Sequence, residues 1–356
     1  MAELPPLIKT PATELLGIKH PVVLAGMNGT SSPRLAAAVT NAGGLGVIGG
    51  GTYTPQQMSD AIDELKSHLV DKDAPFGVDV MIPKVGGGAR KTNYDYLHGN
   101  LDAMIDIMIA KKAKLFVCAI GVPPASVVAK LHAAGILYMN MCGAPKHALA
   151  AAKLGADLVC ATGGEAGGHT GDIPTVVLIP AVKEALRGYT SPLTKKPVML
   201  LAGGGVYNGR SLASALALGA DAVWVGTRFI LCDESGSTEW HQEQVRGAQH
   251  GQVVRSTIFT VDHLHGAAAA LAGDAWEEER KAELKSLEAK GILAATHDRE
   301  QHPDDDSIQD FPILMGKVAA MVNTKLPANQ IVREMVEEAA QVMADNSRLL
   351  VASPKL

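Results

Sequence analysis

The sequence predicts an α/β fold, a (β/α)8 TIM barrel with a small appended subdomain near the C-terminus, and three observations carry that prediction. From residue 21 onward, short runs rich in Val, Ile and Leu alternate with stretches of helical period. Eight such runs can be counted; a seven-strand open sheet would show the same alternation, but eight favours closure. Glycine-rich segments follow the seventh and eighth runs, where α/β barrels commonly bind phosphate.

The elements follow in order. Strands are expected over Pro21–Gly26, Leu45–Ile48, Phe76–Met81, Lys114–Cys118, Ile136–Met139, Asp157–Cys160, Pro197–Leu201 and Ala222–Val225. Their near-continuous apolar character suits a parallel sheet buried on both faces. Helices are expected between them, among others over Ser32–Ala42, Pro55–Leu69, Pro124–Ala134, Lys146–Leu154 and Gly209–Leu218, often opening on Ser or Pro and closing before Gly. The polar stretch Pro83–Gly99 is too long for a bare connection and reads as a rim element. Beyond Phe229 the rhythm breaks. The barrel with its ligand site is therefore assigned to residues 15–234, an appended lid or small subdomain to 235–312, with a charged helix around Trp276–Gly291, and returning helices to 313–350, with a barrel-covering helix over Asn329–Met343.

Composition narrows the function. Hydrophobic residues make up 47% of the 356 residues and charged ones 19%, enough apolar material for a large core. A net charge of −5 with scattered lysines and arginines excludes the basic stripe that nucleic-acid binding requires. No segment reaches the roughly 20 apolar residues of a membrane span and the N-terminus has no signal-peptide run, so a soluble, cytoplasmic protein is expected. The four cysteines lack CxxC spacing and read as buried thiols. No metal site is expected: His132, His147 and His169 fall on separate elements, and the His263–His265 pair has no third ligand near it. There is no GxSxG nucleophile motif. The apolar run Gly266–Leu271 reads either as a self-association surface, giving a homo-oligomer, or as a short buried helix.

The chemistry concentrates at three loops. Ala202, Gly203, Gly204 and Gly205 follow the seventh strand, and Gly226, Thr227 and Arg228 the eighth. Consecutive glycines let backbone amides approach a phosphate, and a helix starting near Asn208 aims its positive end at the same anion. The loop after the sixth strand, Thr162 to Asp172, holds Gly163, Gly164, Gly167 and Gly168 around Glu165 and Ala166, then His169. Those glycines read as holding the backbone close to something flat or bulky. A histidine at a barrel mouth is placed to accept a proton or donate a hydrogen bond near neutral pH.

Three segments, AGMNGTSSPRLAAAVTNAGGLGVIGGG (Ala25–Gly51), GGEAGGHTGD (Gly163–Asp172) and LAGGGVYNGRSLASALALGADAVWVGTRF (Leu201–Phe229), resemble the nitronate monooxygenases, formerly 2-nitropropane dioxygenases. The resemblance runs from about residue 15 to 230 and resumes in FPILMGKVAAMV and the last helix. The motifs are specific for the fold and for FMN, less so for the reaction, because flavin-dependent enoyl-acyl-carrier-protein reductases and some NADH:quinone reductases share the layout.

The resemblance implies that Ala25, Gly26 and Met27 lie against the isoalloxazine and that the Ala202–Gly205 and Gly226–Thr227 loops hold the phosphate of FMN. Thr162, Gly163, Gly168 and Asp79 would border the cofactor, and His169 would hydrogen-bond a nitronate or take a substrate α-proton. Asp79 stands where many relatives carry Asn, Thr162 where glutamine is common, and Met141 where a polar residue is frequent. A carboxylate at Asp79 would have to be protonated or hydrogen-bonded. The implied reaction is oxidation of small alkyl nitronates with O2 to carbonyl compounds and nitrite. The alternatives are an NAD(P)H-dependent FMN reductase of quinones or enoyl thioesters, and a flavin-binding scaffold without turnover.

Overall fold

The computed structural model describes residues 4–82, 97–256, 268–271, 280–290, 292, 294–302 and 313–351. The His263–His265 pair, most of the Pro83–Gly99 rim element and the PDDDS stretch lie outside the described residues.

Eight parallel strands form one sheet: β1 (Val22–Leu24), β2 (Gly46–Gly49), β3 (Phe76–Met81), β4 (Leu115–Ile120), β5 (Leu137–Cys142), β6 (Leu158–Thr162), β7 (Met199–Gly203) and β8 (Ala222–Val225). The spatial order runs from β1 through β8 and back down to β2. The two end strands meet through a parallel bridge between Val23 and Leu45, with Leu24 N donating to Leu45 O at 2.9 Å and Leu45 N to Val22 O at 3.0 Å. The barrel is thereby closed, as the count of eight predicts. Strands β4 to β7 run two or three residues further toward their carboxyl ends than the apolar runs suggest. Polar or small residues such as Asn140, Thr162 and Gly203 still pair there because they stand at the mouth of the barrel.

Alternation along each strand divides the core in two. Val23, Val47, Val117, Met139, Cys160 and Leu201 fill the interior, while Val22, Ile48, Val78, Phe116, Val159 and Val223 face the helices. The interior is plugged from below by an element the apolar pattern does not reveal, the six-residue helix α1 (Pro11–Leu16). Thr10 and Thr13 cap it reciprocally, and Ala12 and Leu16 are fully buried among the interior residues. Burying Leu16 contributes about 1.5–3 kcal/mol.

The outer layer comprises α2 (Pro33–Asn41), α3 (Pro55–His68), α4 (Leu101–Ala110), α5 (Ala125–Ala133), α6 (Pro145–Leu154), α7 (Thr175–Ala185) and α8 (Gly209–Ala217), followed by the single turn α9 (Thr227–Ile230). Ser32 and Thr54 supply the N-caps of α2 and α3, each followed by proline at the first helical position. Beyond the barrel lie α10 (Glu239–Gly247), β9 (Val253–Ser256), β10 (Ala268–Leu271), α11 (Lys281–Ala289), α12 (Ala294–Gln301), a 3-10 turn at Lys317–Met321 and α13 (Ala328–Ser347). The long final helix packs between α8 and α2 through Ile331, Val332, Met335, Val336 and Ala339. The contact with α8 needs Gly209, where a Cβ would come 2.4 Å from Ala339 N.

One expectation is corrected. The apolar run Gly266–Leu271 does not form a helix over its described part: Ala268–Leu271 is a strand, antiparallel to β9 on one side and to the two-residue strand Gly168–His169 on the other. A run of alanines favours helix locally, and cross-strand pairing overrides that preference. No described helix is long and apolar enough to cross a membrane.

Candidate active site

A cavity of about 520 Å³ opens at the carboxyl ends of the strands. Its wall takes Ala25, Gly26 and Met27 from the segment after β1, Asp79 from β3, Thr162 from β6 with Gly168 and His169 beyond it, Gly204 and Gly205 after β7, and Gly226 and Thr227 after β8. Eleven of the fourteen sequence-predicted positions therefore meet in one space. Gly163, Ala202 and Gly203 do not line it. Ala202 is fully buried among the residues that face the helices, because it falls on the outward phase of β7. Gly203 lies just below the cavity, near Trp224, Thr162 and Cys160, and its carbonyl accepts from Gly163 N at 3.0 Å.

In the loop after β6, Gly163, Gly164 and Gly167 approach other parts of the protein, whereas Gly168 lines the cavity and a Cβ there would meet nothing within 4 Å. A Cβ on Gly163 would fall 2.1 Å from Thr175 Oγ1, and one on Gly167 would fall 2.6 Å from the backbone carbon of Met315. This packing locks the loop against α7 and against the segment from Ile313 to Lys317. Lys317 N donates to Glu165 O at 2.9 Å, and Gly316 N to Thr227 Oγ1 at 2.8 Å. Glu165 closes the start of α7, accepting from Thr175 N at 2.9 Å, with Thr175 Oγ1 2.6 Å from the same carboxylate oxygen. His169, half-exposed to the cavity, is held by main-chain pairing with Ala268.

The loops after β7 and β8 have the geometry of an anion cradle. Gly204 and Gly205 take successive positive φ values of 91° and 77°, which side chains disfavour and which turns consecutive amides toward one concavity. Among the described residues, the N–H groups of Gly204, Gly205, Gly226 and Thr227 have no acceptor. Asn208 caps α8 just beyond, reciprocally with Ser211, and Gly209 N donates to Glu338 Oε2 at 2.8 Å, so the first turn of that helix is satisfied within the protein and neither Asn208 nor Gly209 lines the cavity. Arg228, by contrast, does not line the cavity. It is buried, its Nη1 donates to Leu231 O at 3.3 Å, and burial lowers its pKa.

Asp79 and Trp224 form the floor, 4% and 6% exposed. Burial holds the Asp79 carboxyl well above the usual carboxylate range, and its Oδ1 is enclosed without a hydrogen-bond partner. The loop carrying Ala25 to Met27 is shaped by Ser31, which is 1% exposed, donates to Ala25 O at 2.5 Å and accepts from Met27 N at 3.2 Å.

The apolar pattern does not reveal four contributors: Glu165, His241, Leu314 and Met315. Glu165 sits inside the glycine loop and could have been found there. His241 comes from α10, and its Nε2 lies 2.9 Å from Leu314 O. A carbonyl only accepts, so Nε2 carries the proton and Nδ1 the lone pair, and burial lowers the pKa toward the neutral ring. No Lys or Arg lines the cavity among the described residues, nor do those residues hold a cluster of metal-ligating groups. The cysteines are free and buried, and burial pushes the Cys142 thiol up to about 12.

Comparisons with known proteins give this geometry a context. The family model described as nitronate monooxygenase matches residues 9–338. A curated (3aS,4S,5R,7aS)-5-hydroxy-7a-methyl-1-oxo-octahydro-1H-indene-4-carboxyl-CoA dehydrogenase of Rhodococcus jostii (strain RHA1) is 39% identical over 250 residues, which are 70% of this chain and 63% of that protein. The chain thus spans less than two thirds of that relative's length. A probable nitronate monooxygenase of Staphylococcus aureus (strain Newman) is 25% identical over 71% of this chain and 76% of its own. Among solved structures, FabK from Thermotoga maritima superposes with a TM-score of 0.76 at 26% identity, covering 96% of this chain and 100% of the other. The nitroalkane oxidase from Streptomyces ansochromogenes gives 0.75 at 26% identity, covering 94% and 99%.

Proposed function

The chain belongs to the nitronate monooxygenase family of oxidoreductases, and on that premise we propose that it binds FMN at the barrel mouth and oxidises small alkyl nitronates with O2 to carbonyl compounds and nitrite. The observation that carries the cofactor is the cradle: four amides without acceptors among the described residues, on the loops after β7 and β8. A phosphate satisfies those donors. Ala25, Gly26 and Met27, which line the cavity, then lie along the ring system.

FMN supplies the electron-accepting and O2-reactive chemistry when bound. The protein's part is position and proton handling. His169 stands at the cavity wall on a loop locked by the Met315–Gly316 segment and by pairing with Ala268, so its imidazole is presented at a fixed place to a substrate oxygen or α-carbon. Met27, Met141, Trp224 and Met315 line the rest and exclude water from the reacting centre.

A second reading, redox chemistry on a thioester, is favoured by two observations. The 39% identical relative is named as a carboxyl-CoA dehydrogenase, and the cavity has no Lys or Arg among the described residues to meet an anionic nitronate. Steady-state assays separate the two. Nitrite release from propyl-2-nitronate with O2 consumption supports the first. NADH oxidation that depends on an enoyl or acyl thioester, without nitrite release from nitronates, refutes it and moves the assignment to the second.

A further inference from the structure

Asp79 is an acidic residue in a place that gives it no ordinary means of carrying charge. It lies on β3 at the cavity floor, 4% exposed, with neither carboxyl oxygen hydrogen-bonded among the described residues and no ion pair. Its Oδ1 is fully enclosed, whereas the other oxygen, Oδ2, stands toward Gly26 at the end of β1. A Cβ on Gly26 would come 2.2 Å from Asp79 Cβ and 2.6 Å from Oδ2, so the glycine clears the space in front of that oxygen. A carboxylate without a cation or donor is too costly to bury, so the group is the neutral acid, which has one O–H to give.

We propose that Asp79 is a proton-bearing hydrogen-bond donor of the cavity floor, and that the ligand edge it takes is a carbonyl-type acceptor. The inference rests on the FMN reading, in which that edge belongs to the isoalloxazine lying along Ala25 to Met27. It goes further by making cofactor binding depend on one proton of the protein. An asparagine would donate at every pH; aspartic acid donates only while protonated and, once ionised, faces the acceptor with a negative charge. The titratable groups around it do not supply a counter-charge. Cys160, from β6, is a thiol kept protonated by burial. Across the cavity stand His169, His241 and Glu165, and no Lys or Arg among the described residues.

The test is the affinity of the whole protein for FMN, read from quenching of flavin fluorescence between about pH 6 and about pH 10, in wild type and Asp79→Asn. The expected result is a wild-type affinity that falls roughly tenfold or more as the acid ionises, the cost of a lost donor facing an acceptor, and an Asp79→Asn affinity that stays flat near the wild-type value at low pH. Identical pH profiles in the two proteins overturn the proposal while leaving FMN binding intact. Absence of FMN uptake by either protein at every pH overturns the cofactor reading and the proposal with it. Infrared spectra of the wild type supply a measurement independent of the variant's folding. A protonated-carboxyl band at neutral pH is expected, and its absence refutes the neutral acid.

Discussion

Gly204 and Gly205 are neighbours with positive φ, yet the structure assigns them different costs on replacement by alanine. At Gly204, φ is +91° and an added Cβ would stand 3.0 Å from Gly163 O, 3.1 Å from Thr175 Oγ1 and 3.2 Å from Ala166 N. Left-handed strain of about 1–2 kcal/mol is joined there by crowding against two backbone atoms that no rotamer change can move and against the Thr175 hydroxyl, for a total of about 2–5 kcal/mol. At Gly205, φ is +77° but the nearest atom is Glu165 Cβ at 3.6 Å, an ordinary contact, so strain alone remains, about 1–2 kcal/mol. Urea denaturation of the apo proteins measures the first effect. FMN titration measures how far the cradle moves, each ~1.4 kcal/mol of distortion weakening binding tenfold. Gly204→Ala is expected to lose more of both than Gly205→Ala. Equal losses, or a larger loss at Gly205, would refute the account of the cradle as a loop clamped between the β6 loop and α7.

Three further outcomes are expected. His169→Asn should retain FMN and thermal stability while turnover falls by about 10² or more, the usual contribution of a positioned acid or base; unchanged kcat removes the imidazole from the mechanism. Asp79→Asn should raise the apo melting temperature at neutral pH. The native state keeps a proton that the unfolded chain releases above the ordinary value of 3.8, so the wild type loses stability as pH rises past that point toward the raised native value, and the variant does not. Melting curves that differ as much at pH 3 as at pH 7 would contradict this. Glu165→Ala removes the acceptor for Thr175 N and Oγ1 at the start of α7 and should cost about 1–2 kcal/mol in urea denaturation, with Glu165→Gln recovering part of it.

The barrel was legible because its signals are local. Val, Ile and Leu runs mark strands, Ser32, Thr54 and Asn208 mark helix starts, and the glycines after β7 and β8 mark the end of the barrel at which the cavity opens. Most predicted wall residues lie in the loops just beyond the carboxyl ends of the strands, which the end of each apolar run locates, while Asp79 and Thr162 lie on barrel strands. Ala202 shows how strand alternation works against a motif: it belongs to the glycine run by sequence and to the outer layer by phase. Other features depended on contacts between distant segments and left little trace. The α1 plug is six residues long, too short for a periodicity, though the capped Thr-Pro-Ala-Thr start was readable. His241 and Met315 reach the cavity from beyond the barrel, and Gly163 and Gly167 of the β6 loop are required by Thr175 and Met315, residues that no spacing rule connects to them.

The central claim, a flavin site at the mouth of this barrel serving nitronate oxidation, is tested most directly by an anaerobic absorbance spectrum of the FMN-loaded protein before and after addition of propyl-2-nitronate. The account expects a bound-flavin spectrum that changes on addition of nitronate and recovers when O2 is admitted. A protein that takes up no flavin, or one whose flavin is unaffected by nitronate and bleached by NADH, would contradict it.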